Sequence, residues 1–92
     1  MGSQNINYDS LPEHLRGGVA RYIEQGIKPG SFLTAIICNN LKDSFFRADN
    51  ICLERMFDII EFFNNEAPFR CWGSKEKMTE WIREFGKEIK GD

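Results

Sequence analysis

The chain has one histidine, His14, and three cysteines, Cys38, Cys52 and Cys71, the side chains from which a nucleophile–base pair or a zinc centre would be built. A thiol activated by imidazole needs one cysteine folded against His14, and nothing in the spacing demands it. His14 reads as a surface residue in the first turn of a helix. Zinc held by all four has the right number of ligands. Structural zinc sites, however, draw ligands in close pairs such as C-x2-C, and the cysteines here stand 14 and 19 residues apart. Glu54, Asp58 and Glu61 share one helical face, yet the Glu-x-x-His partners of a carboxylate-bridged metal pair are absent, so a solvated face accounts for them. No Walker loop, G-x-G-x-x-G turn or G-x-S-x-G elbow occurs. The expectation is a protein that is not an enzyme, with no catalytic residue, no metal and no cofactor.

The remaining polar feature is a set of arginines and amides outside the apolar stripes. Arg16 and Arg21 lie on the first expected helix, Arg47 and Asp49 flank the start of the third, and Asn39, Asn40 and Asn50 are near in sequence. Guanidinium forks and amides beside the helix start at Gly30-Ser31 are suitable parts for holding phosphate or carboxylate. Arg16, Arg21, Ser31, Asn40, Arg47 and Asp49 are therefore the expected ligand or partner contacts. An Arg47–Asp49 bridge and ordinary surface solubility would explain the same residues.

These side chains must be positioned by helices, because four segments carry helical periodicity and none reads as a strand. The first opens at Ser10-Leu11-Pro12-Glu13, a capping-box sequence with proline where its missing N–H is harmless, continues through Leu11, Leu15, Val19, Tyr22 and Ile23, and stops at Gly26. The Gly17-Gly18 pair predicts a close approach by another backbone or a ligand, with close helix packing as the simpler account. After Lys28-Pro29-Gly30, Ser31 is the expected cap of a helix that is apolar nearly all round, bent or interrupted near residue 40 at Asn39-Asn40. Asp49 is the expected cap of the third helix, with a stripe of Leu53, Met56, Phe57, Ile60 and Phe63. Gly73-Ser74 precedes the fourth, whose stripe is Met78, Trp81, Ile82, Phe85 and Ile89, with Glu80–Arg83 and Glu84–Lys87 pairs on its wet side. The expected architecture is all-α: a compact bundle of four helices in one domain over residues 10–90. A polar N-terminal segment, residues 1–9, is expected to be flexible, with Ile6 and Tyr8 as its only anchors and Met1 to Ser3 resembling a cloning remnant.

Ninety-two residues make one small domain, and 41% hydrophobic with 28% charged residues is a globular composition. A net charge of −2 is a poor match for a nucleic-acid clamp, which needs a basic face. No apolar run approaches the ~20 residues that span a bilayer. An odd cysteine number and no basic-then-apolar leader favour reduced thiols in a cytoplasmic setting. Eight Phe and two Trp exceed what so small a core readily hides. Phe45, Phe46, Phe62, Phe69 and Trp72 are accordingly the expected interface residues of a homo-oligomer or partner contact.

The run Tyr22 to Ala35 (Tyr-Ile-Glu-Gln-Gly-Ile-Lys-Pro-Gly-Ser-Phe-Leu-Thr-Ala), with Asn39-Asn40-Leu41, Arg47-Ala48-Asp49-Asn50, Cys71-Trp72-Gly73-Ser74 and Trp81, resembles short bacteriophage and prophage accessory proteins of unassigned activity. The resemblance spans residues 11 to 82, and departs from that pattern where Asn39-Asn40 stands for Asn-Asp. It implies a phage-type accessory protein acting by stoichiometric binding of a host protein, a defence component among the options, or of a small anionic ligand such as a nucleotide. Two alternatives stand beside it. One is a helical, homo-oligomerising structural or regulatory module. The other is a helix-turn-helix nucleic-acid binder cornered at Pro29-Gly30, disfavoured by the apolar helix that follows.

Overall fold

In the computed structural model, which describes residues 6–90 and their side chains as far as Phe85, the backbone forms six α-helices and one 3-10 turn. The helices are α1 (Glu13–Gln25), α2 (Ser31–Ile37), α3 (Leu41–Arg47), α4 (Asn50–Glu54), α5 (Met56–Asn65) and α6 (Lys75–Lys90), with the 3-10 turn at Phe69–Cys71. No strand occurs among the described residues, and the radius of gyration, 12.9 Å, is close to the ~12 Å expected of a compact chain this long. Ile89 and Lys87, assigned above to the fourth helix's stripe and to an ion pair, have side chains outside the described residues, as do residues 1–5 entirely.

The helix count is corrected from four to six because two expected helices each divide. Helix two breaks at Cys38–Asn40, where Asn39 takes a left-handed φ of 62°, a conformation asparagine tolerates better than most residues. Asn40 then restarts the chain as the cap of α3, its Oδ1 accepting from the Asp43 N–H at 3.1 Å. Helix three divides at Arg55 (φ −103°, ψ 17°), whose guanidinium donates to Asp58 and back to the Ser10 carbonyl. Asp49 caps α4 as the sequence predicts, accepting from the Cys52 N–H at 2.8 Å.

Two other starts are corrected. Ser10 forms no capping box: α1 begins at Glu13 with Pro12 at its cap and no side-chain cap bond. Ser31 is the first residue of α2 rather than its cap, which is Gly30. Ser74 does cap α6, accepting from the Lys77 N–H.

The core is drawn from Leu11 and α1, α2, Cys52 of α4, α5, Cys71 of the 3-10 turn and the start of α6. Leu11, Val19, Tyr22, Ile36, Ile37, Ile59, Phe62, Phe63 and Cys71 are almost wholly enclosed. Tyr22 is its polar hinge: its hydroxyl donates to the buried Cys71 carbonyl at 2.6 Å, while its own carbonyl accepts from the Trp81 indole at 3.0 Å. One residue thereby ties α1 to the 3-10 turn and to α6. Gly26 ends α1 with φ 68°, and a Cβ there would lie 2.5 Å from Phe85, so both conformation and space exclude a side chain. The approach predicted at Gly17-Gly18 is ordinary helix packing: a Cβ on Gly18 would meet Leu33 of α2 at 3.5 Å, and one on Gly17 only its own helix's Arg21.

The third helix's stripe is also corrected. Cys52, Met56, Ile59, Phe62 and Phe63 face inward, whereas Leu53 and Phe57 are exposed: the inward positions continue at steps of three and four through Arg55, on a face that carries Cys52 and Ile59 rather than Leu53 and Phe57. Ahead of α1, Tyr8 packs its ring on Phe62 and donates to Glu24, and Ile6 packs against the core.

Candidate functional site

Where α2 breaks, the chain opens a groove closed on its far side by α6. The Gly73 N–H donates to the Ile37 carbonyl at 2.7 Å and fixes the start of α6 beside the end of α2. Between them Cys38 Sγ lies 3.7 Å from Met78 Sδ. The groove is about 970 Å³. Its walls are the Lys28-Pro29 link, Ser31 and Thr34 of α2, Asn40, Asp43 and Arg47 around α3, and Lys75, Thr79 and Arg83 of α6; Ala35, Cys38, Met78 and Ile82 give an apolar floor.

The electrostatics are one-sided. Lys28, Arg47, Lys75 and Arg83 line the groove against a single carboxylate, Asp43. Arg47 meets Asp43 at 3.3 Å and Arg83 meets Glu80 at 3.4 Å, both exposed pairs that hold little energy in water. Lys28 and Lys75 are in no ion pair with a described residue. Burial pushes the Cys38 thiol above its ordinary range, with Lys75 and Lys28 acting in the opposite sense and Glu76 adding to the rise, so the lysines' field reaches the floor against one nearby carboxylate outside the lining. A domain of net acidic charge thus has a locally cationic cleft, able to hold an anion at its rim and an apolar body at its base.

Of the six expected contact residues, the structure brings together Ser31, Asn40 and Arg47. Arg47 pairs with Asp43, and the Arg47–Asp49 bridge offered as an alternative account of these residues does not form. Arg16 is a staple instead, donating to the carbonyls of Leu11 and Asp9 and holding the N-terminal segment on α1. Arg21 lies apart in a smaller depression with His14, Gly18, Ser31 and Phe32. Asp49 does not line the groove and engages His14, Oδ2 to Nε2 at 3.1 Å. Backbone and side-chain hydrogen bonds from Cys52 hold the Asp49 carboxyl below its usual range, with His14 adding to the effect. Burial raises the Cys52 thiol to about 11. Sequence reasoning missed Lys28, Lys75, Arg83 and Met78 as groove residues. Met78 belonged to α6's apolar stripe and the lysines to no pattern; only their helix-start and turn positions flanking Pro29 and Ser74 signalled them.

The expected interface set divides. Phe46 and Phe69 are about three-quarters exposed, at 75% and 76%, and Phe45 is exposed. Phe62 is corrected: it is 1% exposed, in the core, edge-on to Phe63. Trp72 is half-buried against Phe63 at 5.5 Å. Leu41, Ile51, Leu53 and Phe57 are exposed apolar residues that the sequence pattern had placed inside or left aside. Among the described residues no helix is long and apolar enough to cross a membrane. The sequence matches no protein-family model, and no curated protein and no solved structure is significantly similar to it.

Proposed function

We propose that the protein is a non-enzymatic binding protein that captures a small anionic ligand of nucleotide size in the groove between α2, α3 and α6. The observation that carries this reading is the lining of four cations and one carboxylate around a cleft with an apolar floor. In it Lys28, Lys75, Arg47 and Arg83 meet the anionic groups, Asn40 and Thr34 offer hydrogen bonds at the wall, and Met78 and Ile82 receive a planar or apolar body. The resemblance to phage accessory proteins supports the same reading, since stoichiometric capture in a host cytoplasm needs no catalytic group. Adenosine triphosphate, titrated calorimetrically into the full chain, is the test. Binding should saturate at one per chain, weaken with added salt, and fall at least about tenfold in Arg47→Ala/Lys75→Ala, since charge-assisted bonds contribute roughly 1.5–3 kcal/mol each. Unchanged binding in the double variant, or no binding by the wild type, overturns the nucleotide reading.

A second reading has its own observation. Leu41, Phe45, Phe46, Ile51, Leu53 and Phe57, all between residues 41 and 57, are large apolar side chains left exposed. Such a surface suits a homo-oligomer or a host-protein contact. Sedimentation of wild type against Phe46→Ser/Phe57→Ser separates the cases: a wild-type oligomer dissociated by these changes supports self-association, and a monomer at all micromolar concentrations removes it. A nucleic-acid role finds no support in α2, whose Leu33, Ala35, Ile36 and Ile37 are buried.

A further inference from the structure

Away from the groove, His14 of α1 meets the start of α4. His14 Nε2, an Asp49 carboxylate oxygen and Cys52 Sγ all lie within 4.8 Å of one another. Nε2 is 3.1 Å from Asp49 Oδ2 and 3.8 Å from Cys52 Sγ. Bonds of ~2.0–2.3 Å to a tetrahedral zinc ion place neighbouring donors about 3.2–3.8 Å apart. The 3.8 Å edge of this donor triangle is within that range and the 3.1 Å edge is just short of it, so small side-chain shifts bring the three donors to ligand spacing.

The pattern of contact distinguishes a metal site from a catalytic relay. A nucleophile–imidazole–carboxylate relay places the acid on one ring nitrogen and the nucleophile on the other. Here Asp49 and Cys52 both address Nε2. A cation suits this convergence, because the imidazole nitrogen, the carboxylate oxygen and the thiolate can all direct lone pairs at one point. Asp49 is aimed for this: its Oδ1 accepts from the Cys52 N–H, leaving Oδ2 turned toward His14.

We infer that His14, Asp49 and Cys52 form a binding site for a borderline divalent cation, zinc by its mixed nitrogen, oxygen and sulfur donors. Cys52 is buried at the base, whereas His14 and Asp49 have half-exposed side chains, so the fourth position faces solvent and takes water. On binding, the Cys52 thiol loses its proton to solvent, and the ion clips α1 to α4 across 35 and 38 residues of chain. None of the three residues lines the groove, so the site stands independently of the ligand reading above.

The test uses the full chain, stripped with chelator and titrated with zinc alone under thermal unfolding, and with cobalt(II) under visible absorption. The expected result is a rise in Tm of several degrees with excess zinc, and a cobalt spectrum carrying tetrahedral ligand-field bands with a thiolate charge-transfer band. His14→Gln changes an exposed side chain and leaves the fold. Asp49→Asn keeps a capping residue while removing the carboxylate. Each should weaken binding by at least about tenfold, and Cys38→Ser should leave it unchanged. No zinc shift and no cobalt band in the wild type overturns the assignment. So does a signal retained in His14→Gln, or one lost only in Cys38→Ser, which would mark a loosely held ion at the groove thiol.

Discussion

Residues 11–37 and residues 41–57 treat their apolar side chains in opposite ways. In the first stretch Leu11, Leu15, Val19, Tyr22, Ile23, Leu33, Ile36 and Ile37 all turn inward. In the second Ser44, Cys52 and Met56 are enclosed, while Leu41, Phe45, Phe46, Leu53 and Phe57 stand out. Helix length explains part of the contrast. A stripe needs several turns to settle against a core, and α1 has 13 residues where α3 has seven and α4 five. Burying small residues brings the α3 and α4 backbones close to the body and leaves their large ones as an outer surface.

The sharpest way to break that contrast is to truncate matched phenylalanines. Phe62→Ala should lose about 3–5 kcal/mol by urea unfolding, whereas Phe57→Ala, 74% exposed, should stay within ~0.5 kcal/mol. Equal losses would mean that the 41–57 surface is part of the core. A glycine pair gives a smaller effect. Gly26→Ala meets both a left-handed φ and Phe85, and should cost about 2–4 kcal/mol, while Gly30→Ala, with nothing within 4 Å of the added carbon, should be near neutral. The smallest effect is in alkali. Burial pushes the Cys71 thiol up to about 12 from an ordinary 9.0. Above about pH 9 the unfolded chain releases a proton that the folded chain keeps. Stability is therefore full below pH 9 and declines as pH rises toward 12. Tm followed from pH 8 to 11 should fall, and fall less in Cys71→Ser.

Elements with long, unbroken periodicity were legible in the sequence. α1 stops at Gly26, and Met78, Trp81 and Ile82 of α6 do pack on the core. Asp49 and Ser74 were legible as caps because their oxygens satisfy free N–H groups locally. The interruption near residue 40 was legible in Asn39-Asn40, but the division at Arg55 and the inward face of residues 50–57 were not, because Leu53 and Phe57 offer an apolar stripe as regular as the one through Cys52 and Ile59. Half of the expected contact set, Ser31, Asn40 and Arg47, does share a groove. Its other half scattered because Arg16 and Asp49 satisfy local backbone groups. The meeting of His14 with Cys52 joins residues 38 apart through tertiary packing alone, which local patterns do not encode.

The placement of the two tryptophans has an optical consequence. Trp81 donates its indole N–H to the Tyr22 carbonyl, so its emission reports whether α6 is seated on α1. Trp72 rests against Phe63 and reports the aromatic interior instead. With either indole replaced by phenylalanine, the remaining fluorophore follows one joint of the molecule, and the order in which the two signals change on unfolding shows which joint parts first.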